Sequence, residues 1–211
     1  MGVEIERKFT VKELPKDLES YPYRSIEQAY LNVRPAIRVR KDNNSYYMTY
    51  KCRLAMEIGQ DNNEDSKLNG SADIGQTEYN LPLDEATYEH LKAKADGNVI
   101  TKKRYLIPLN SDGFDRDYLA QNPDLSKAIE RGDMKIELDI FEGVFEGRIL
   151  AEVEFPSEEA ARAYKPAAWF DEDVTGNPKY SNSQMSAEKL KAKSQIKLPF
   201  LPGSKKYKKK Y

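Results

Sequence analysis

Seven short segments of this 211-residue sequence place charged or polar side chains at i, i+2 spacing, and each carries one dominant sign. In "VEIERKFTV", a two-residue period puts Glu4, Glu6 and Lys8 on one face and Val3, Ile5, Arg7 and Phe9 on the other. The pattern returns as Arg38 and Arg40 in "AIRVRK", as Tyr47, Thr49 and Lys51 in "YYMTYK", and as Glu78 and Asn80 in "TEYNLPL". It continues with Lys102 and Arg104 in "TKKRYLI", Glu137 and Asp139 in "KIELDIF", and Glu152 and Glu154 in "ILAEVEF". One such segment alone is a strand with one dry and one wet face. The set is different, because a loosely solvated surface mixes signs and neutral polar residues within each strand.

The chemistry of these residue types is specific. Carboxylates crowded together cannot all ionise unless cations neutralise them. Oxygen-only ligands favour hard cations such as Mg²⁺ or Mn²⁺, and one histidine and one cysteine are too few for a zinc cluster. The bases call for anions, and an arginine fork matches phosphate oxygens bidentately. A cation–phosphate contact is worth ~1 kcal/mol in water and several times that at the effective dielectric of a protein site. Acids and bases gathered in one confined space therefore suit a polyphosphate with its metal ions.

The elements that must gather them are strands. Alternation predicts strands near residues 2–10, 24–33, 35–42, 45–54, 76–83, 100–109, 134–142 and 147–155, of which only 24–33 lacks the charged signature. The expected fold is α+β and mainly antiparallel β, an eight-stranded closed barrel with a charged interior and flanking helices. A barrel of that size holds side chains plus one small ligand. Helices are predicted after the Asp84 cap, with Gly97 as the stop, after the Ser157 cap, over 122–133 and over 181–193. Residues 59–73 are turn formers and predict a mobile loop, residues 196–211 a basic tail, and residues 1–195 a single domain.

Composition excludes several other classes. A third of the residues are charged, yet the net charge is −1, so the charge is interspersed and no dedicated nucleic-acid partner is expected. A single cysteine rules out an internal disulfide and suits a reducing cytoplasm, and no apolar run reaches the length of a membrane span. Cys52 falls on an apolar face and His90 on a helix, so neither is expected to do chemistry.

"EIERKF" resembles the ExExK signature of the CYTH superfamily, the triphosphate tunnel metalloenzymes, and the likeness runs on in order through "RVR", "YK", "TEYNLPL", "KKRYLIP", "IELDIFEG", "LAEVEFP" and "DVTGNPKYSN". The resemblance implies an antiparallel tunnel that binds a triphosphate-containing small molecule with divalent metals, two Mg²⁺ or Mn²⁺. It implies that Lys8, Arg38, Arg40, Lys51, Lys102, Arg104 and Lys179 hold phosphates. Glu4, Glu6, Glu152 and Glu154 would be the main metal carboxylates, with Glu78, Glu137 and Asp139 beside them, and Lys8, Glu6 and Lys102 would carry catalysis. Asn80 departs from the pattern, since members commonly have an acid there. The implied reaction is hydrolysis of inorganic tripolyphosphate to diphosphate and phosphate. The alternatives are an adenylyl cyclase, a thiamine triphosphatase with Trp169 stacking on its substrate, or a non-catalytic polyphosphate or nucleotide binder, with a homodimer left open.

Overall fold

Strands form where the alternation is strongest, and their pairing brings the charged faces together. The computed structural model describes residues 3–52 and 75–189, so the predicted loop and the basic tail lie outside the described residues. The strands are β1 Val3–Val11, β2 Tyr23–Val33, β3 Ala36–Asp42, β4 Ser45–Cys52, β5 Gly75–Leu83, β6 Asp96–Pro108, β7 Lys135–Glu142, β8 Ile149–Phe155 and β9 Phe170–Asp173. The described helices are α1 Glu85–Lys92, α2 Arg116–Gln121, α3 Pro123–Glu130, α4 Glu158–Ala163 and α5 Asn182–Ala187. None of them is long and apolar enough to cross a membrane.

All neighbouring strands run antiparallel in one sheet ordered β5-β4-β3-β2-β6-β7-β8-β1-β9. β1 also reaches the opposite end of the sheet, pairing Val3, Glu4 and Ile5 with Thr77, Gln76 and Gly75 of β5. This corrects the expected eight-stranded closed barrel. The sheet is a curled one of nine strands whose ends touch along that short seam, whereas β4 and β5 stay paired from Tyr46↔Leu83 to Cys52↔Thr77. The seam stays short because the far half of β1, at Phe9 and Val11, pairs instead with β9. β9 was not predicted: it is four residues long, and three of them, Asp171, Glu172 and Asp173, are poor strand formers.

The apolar faces pack outward under helices. Phe9, Leu138, Ala151, Val153 and Phe155 bury against Phe114, Leu125, Ala160 and Tyr164 from the helical segments on that side. On another side Ala29 and Val39 meet Tyr88 of α1. Each large side chain so buried contributes about 1.5–3 kcal/mol. Arg7 explains its own place on the apolar face of β1. Its guanidinium lies 5.0 Å from the Phe9 ring centre, binds Asp173 of β9 at 2.6 Å, and donates to the Ala161 and Tyr164 carbonyls at 3.0 and 2.9 Å. It thereby ties β1, β9 and the end of α4 together.

Asp84 and Ser157 cap their helices as expected, accepting from the Thr87 and Ala160 amides at 2.7 and 3.1 Å. Gly97 does not stop α1, which ends at Lys92; it lies in β6 with φ +78°. A Cβ there would sit 2.3 Å from the Ser186 carbonyl oxygen, so glycine lets α5 lie against β6. Asn98 completes the joint by donating to the Ser186 and Glu188 carbonyls at 3.1 and 2.8 Å.

Gly97→Ala should therefore destabilise the protein by about 2–4 kcal/mol, combining a left-handed conformation with a backbone clash. Gly132→Ala, at φ +71° with open space around its Cβ, should cost only about 1 kcal/mol. Urea unfolding of both variants reads the difference, and equal losses would remove the packing role of Gly97.

Candidate active site

Register fixes which side chains share the concave face. In the β1–β8 ladder Glu6 lies opposite Glu154 and Lys8 opposite Glu152, while Arg104 lies opposite Asp139 between β6 and β7. β3 presents Arg38 and Arg40, and β4 presents Thr49 and Lys51. Most of the predicted side chains thus converge from separate strands. Glu4 is placed by its backbone, opposite Gln76.

The centre is a dense ion network. Arg104 binds both Asp139 oxygens at 2.7 Å and Glu152 at 2.6 Å, and it also pairs with Glu137. Lys102, fully buried, pairs with Asp139. Lys8 lies 2.9 Å from Glu152 and 3.8 Å from Glu6. Arg40 donates twice to Gln28 Oε1, at 3.1 and 2.9 Å, and once to the Tyr47 hydroxyl at 3.1 Å. Arg38 and Lys51 share Glu78 at 3.7 and 3.5 Å.

Asn80 acquires a physical reason. Its Oδ1 accepts from Thr49 at 2.6 Å while its Nδ2 donates to Glu78 at 3.0 Å. A carboxylate there could not donate to Glu78, so the amide steadies the acid that Arg38 and Lys51 share.

Burial and neighbouring charge divide the face into two electrostatic regions. Burial, aided by Arg104, pulls the Lys102 ammonium down to about 8, and burial with Arg38 lowers Arg40. Lys8 is held above its ordinary value because Glu152 and Glu6 outweigh the burial that opposes its charge. Glu152 is held well below its ordinary value: Lys8 and Arg104 outweigh its burial, as Arg104 and Lys102 do for Asp139. At the acidic edge burial raises Glu154, and Glu137 and Glu6 add to the rise. Lys102 and Arg40 are thus short of anions, and the acids around Glu154 are short of cations.

A cavity of about 110 Å³ opens beside them, lined by Glu6, Lys8, Tyr30, Ala36, Arg38, Thr49, Lys51 and by Ser181, Asn182 and Ser183 at the start of α5. α5 sits across this end of the curled sheet, with Met185 packed among Tyr30, Ile100 and Phe141. Lys179 lies outside the set that lines the cavity, with its ammonium 5.4 Å from the Tyr180 ring centre. Trp169 packs edge-on against Phe170, 4.5 Å between centres, in the outer core. That placement removes the reason for a stacking role in a thiamine triphosphatase.

The residues missed by the sequence reading come mainly from β2. Gln28 is fully buried against Arg40, Tyr30 lines the cavity, and Arg24 and Asp42 pair at 3.1 Å near Glu137. The signal was a plain two-residue period through Arg24, Ile26, Gln28 and Tyr30, hidden because most of these residues carry no charge.

The donor set suits a hard divalent cation. Glu6 and Glu154 face each other across a ladder, and Glu137 adds to the repulsion that a cation would relieve. Among the described residues, no three acids, histidines or cysteines come close enough together to hold a metal by themselves. Oxygens from a bound substrate would have to complete such a shell.

Comparison with known families finds no matching family. The chain is 29% identical over 187 residues to an inorganic triphosphatase of Nitrosomonas europaea, covering 87% of this chain and 96% of that protein. It is 29% identical over 186 residues to an inorganic triphosphatase of Acetivibrio thermocellus, covering 88% and 94%. A crystal structure of an inorganic triphosphatase superposes with a TM-score of 0.55 at 28% identity, covering 89% of this chain and 97% of that one. The chain is a homologue of inorganic triphosphatases. The resemblance to the triphosphate tunnel metalloenzymes agrees with this, and in this chain the matched strand motifs converge on one concave face.

The depressed acids of this homologue set its acid stability. An acid held below its ordinary value stabilises the fold above its unfolded pKa, about 4.5 for Glu152, and that contribution is lost as pH falls through the folded value. Thermal midpoints should hold steady down to roughly pH 5 and then fall. Glu152→Gln should lower stability near neutrality by about 3–5 kcal/mol and flatten the acid slope. Calorimetry across pH checks both, and an unchanged slope in the variant would contradict the assignment.

Proposed function

We propose that this protein hydrolyses a triphosphate, with inorganic tripolyphosphate as the substrate and diphosphate and phosphate as products. The observation that carries the reading is the division of one concave face into a cation-rich centre and an acid-rich edge. A triphosphate bound with metal ions matches both regions at once, and the names of the relatives agree with it.

In this reading the concave face of the curled sheet holds the phosphates. Arg38, Arg40, Lys51, Lys102 and Arg104 take phosphate oxygens, and Lys8 holds the transferring group between the two regions. Arg104 and Lys102 exchange part of their bonding to Asp139, Glu137 and Glu152 for phosphate, so the cations stay paired throughout. Glu4, Glu6, Glu152 and Glu154 would hold one or two Mg²⁺ or Mn²⁺. Such ions supply Lewis acidity toward the triphosphate and the attacking water. Thr49, Asn80 and Gln28 fix the Glu78 and Arg40 side chains, and this positioning is what phosphoryl transfer chiefly demands of a protein.

Phosphate release should be fastest from tripolyphosphate in a panel with ATP and thiamine triphosphate, and EDTA should abolish it. Lys8→Ala and Glu6→Ala should each lower kcat/KM by roughly 10²–10³-fold while keeping the wild-type circular dichroism spectrum. Tripolyphosphate binding without phosphate release over hours would make the protein a binder. Cyclic AMP formed from ATP would make it a cyclase.

A further inference from the structure

The end of the concave face away from α5 carries an arginine that neither the motifs nor the proposed mechanism uses. Exposure of the inward side chains rises toward that end, from 0% at Lys102 and 8% at Arg104 to 31% at Glu137 and 38% at Arg24. Arg24 of β2 stands directly opposite Arg104 of β6. Two guanidinium groups in facing positions repel unless an anion bridges them. Here Glu137 is that bridge: it pairs with Arg104 through one oxygen and lies 3.5 Å from Arg24 through the other.

The bridge leaves Arg24 incompletely satisfied. Its second partner, Asp42, lies at 3.1 Å, while the buried Arg24 Nε and the buried Asp42 Oδ1 have no hydrogen-bond partner among the described residues. A guanidinium offers five donors in a fixed fork. This one makes a 3.1 Å contact and a long one, and with its side chain 38% exposed it stands at the open end beside Glu137.

We propose that Arg24 is a specificity-determining residue: it binds the outermost phosphate of the substrate at the open end and so favours an uncapped inorganic triphosphate over a triphosphate ester. The inference rests on the triphosphatase reading. The end group of an inorganic chain presents three unsubstituted oxygens and carries up to two charges. The same phosphorus in an ester has given one oxygen to an organic group, carries one charge, and brings bulk to the rim. A planar fork placed there rewards the first and gains less from the second. Glu137, already sharing both arginines, moves aside as the phosphate takes its place between them.

The test is isothermal titration of the Mg²⁺-loaded protein with tripolyphosphate and with ATP, together with KM for tripolyphosphate and the inhibition constant of ATP. Arg24→Ala should reduce the tripolyphosphate-over-ATP affinity ratio about five- to tenfold, and Arg24→Lys, which keeps charge without the fork, should fall between. A ratio that does not move while the melting temperature drops would make Arg24 a purely structural ion-pair partner and overturn the proposal. The two readings fail separately. A wild-type protein that releases no phosphate defeats the triphosphatase reading, and the affinity ratio still reads the role of Arg24. Normal wild-type turnover with an unmoved ratio defeats only the role of Arg24.

Discussion

Arg104 is the hub on which the interior depends. Its guanidinium binds Asp139 through both oxygens and reaches Glu152 and Glu137, joining β6, β7 and β8 across the concave face. Placing Lys102, Asp139 and Glu152 out of water costs several kcal/mol for each ion unless opposite charges surround it. The network meets that condition without any ligand, which is why a protein can fold around so many charges. In the proposed reaction each bond that neutralises a base is also one that a phosphate oxygen would have to replace.

The same network sets where the fold is strict and where it is loose. Pairing is continuous between β7 and β8, where Leu138, Ala151 and Val153 lie under the α2–α4 side. The β1–β5 seam is brief, because β1 divides its outer edge between β5 and β9. Arg7 stabilises the β9 side of that division by binding Asp173 and the α4 carbonyls together.

Much of this was legible in the sequence because charge on alternate residues is a strong marker of an inward face in a sheet whose outer face is apolar. Glu6, Lys8, Arg38, Arg40, Lys102, Arg104, Asp139 and Glu152 could be read that way. β2 could not, because Gln28 and Tyr30 are neutral and its one inward charge, Arg24, stands alone. β9 was hidden by three acids that face solvent at an edge. Gly97 was misread because glycine marks both a helix stop and a close backbone approach, and only the position of Ser186 separates the two. Lys179 was named from its motif, and no spacing rule reports that its neighbour Tyr180 supplies a ring beneath the ammonium.

α5 is fastened by Asn98, by the approach at Gly97 and by the Arg148–Glu188 pair, with Met185 fully buried behind it. Loosening this helix would have to break its ties to β6 and to the β7–β8 connection together, so it should move with the sheet rather than as an independent flap.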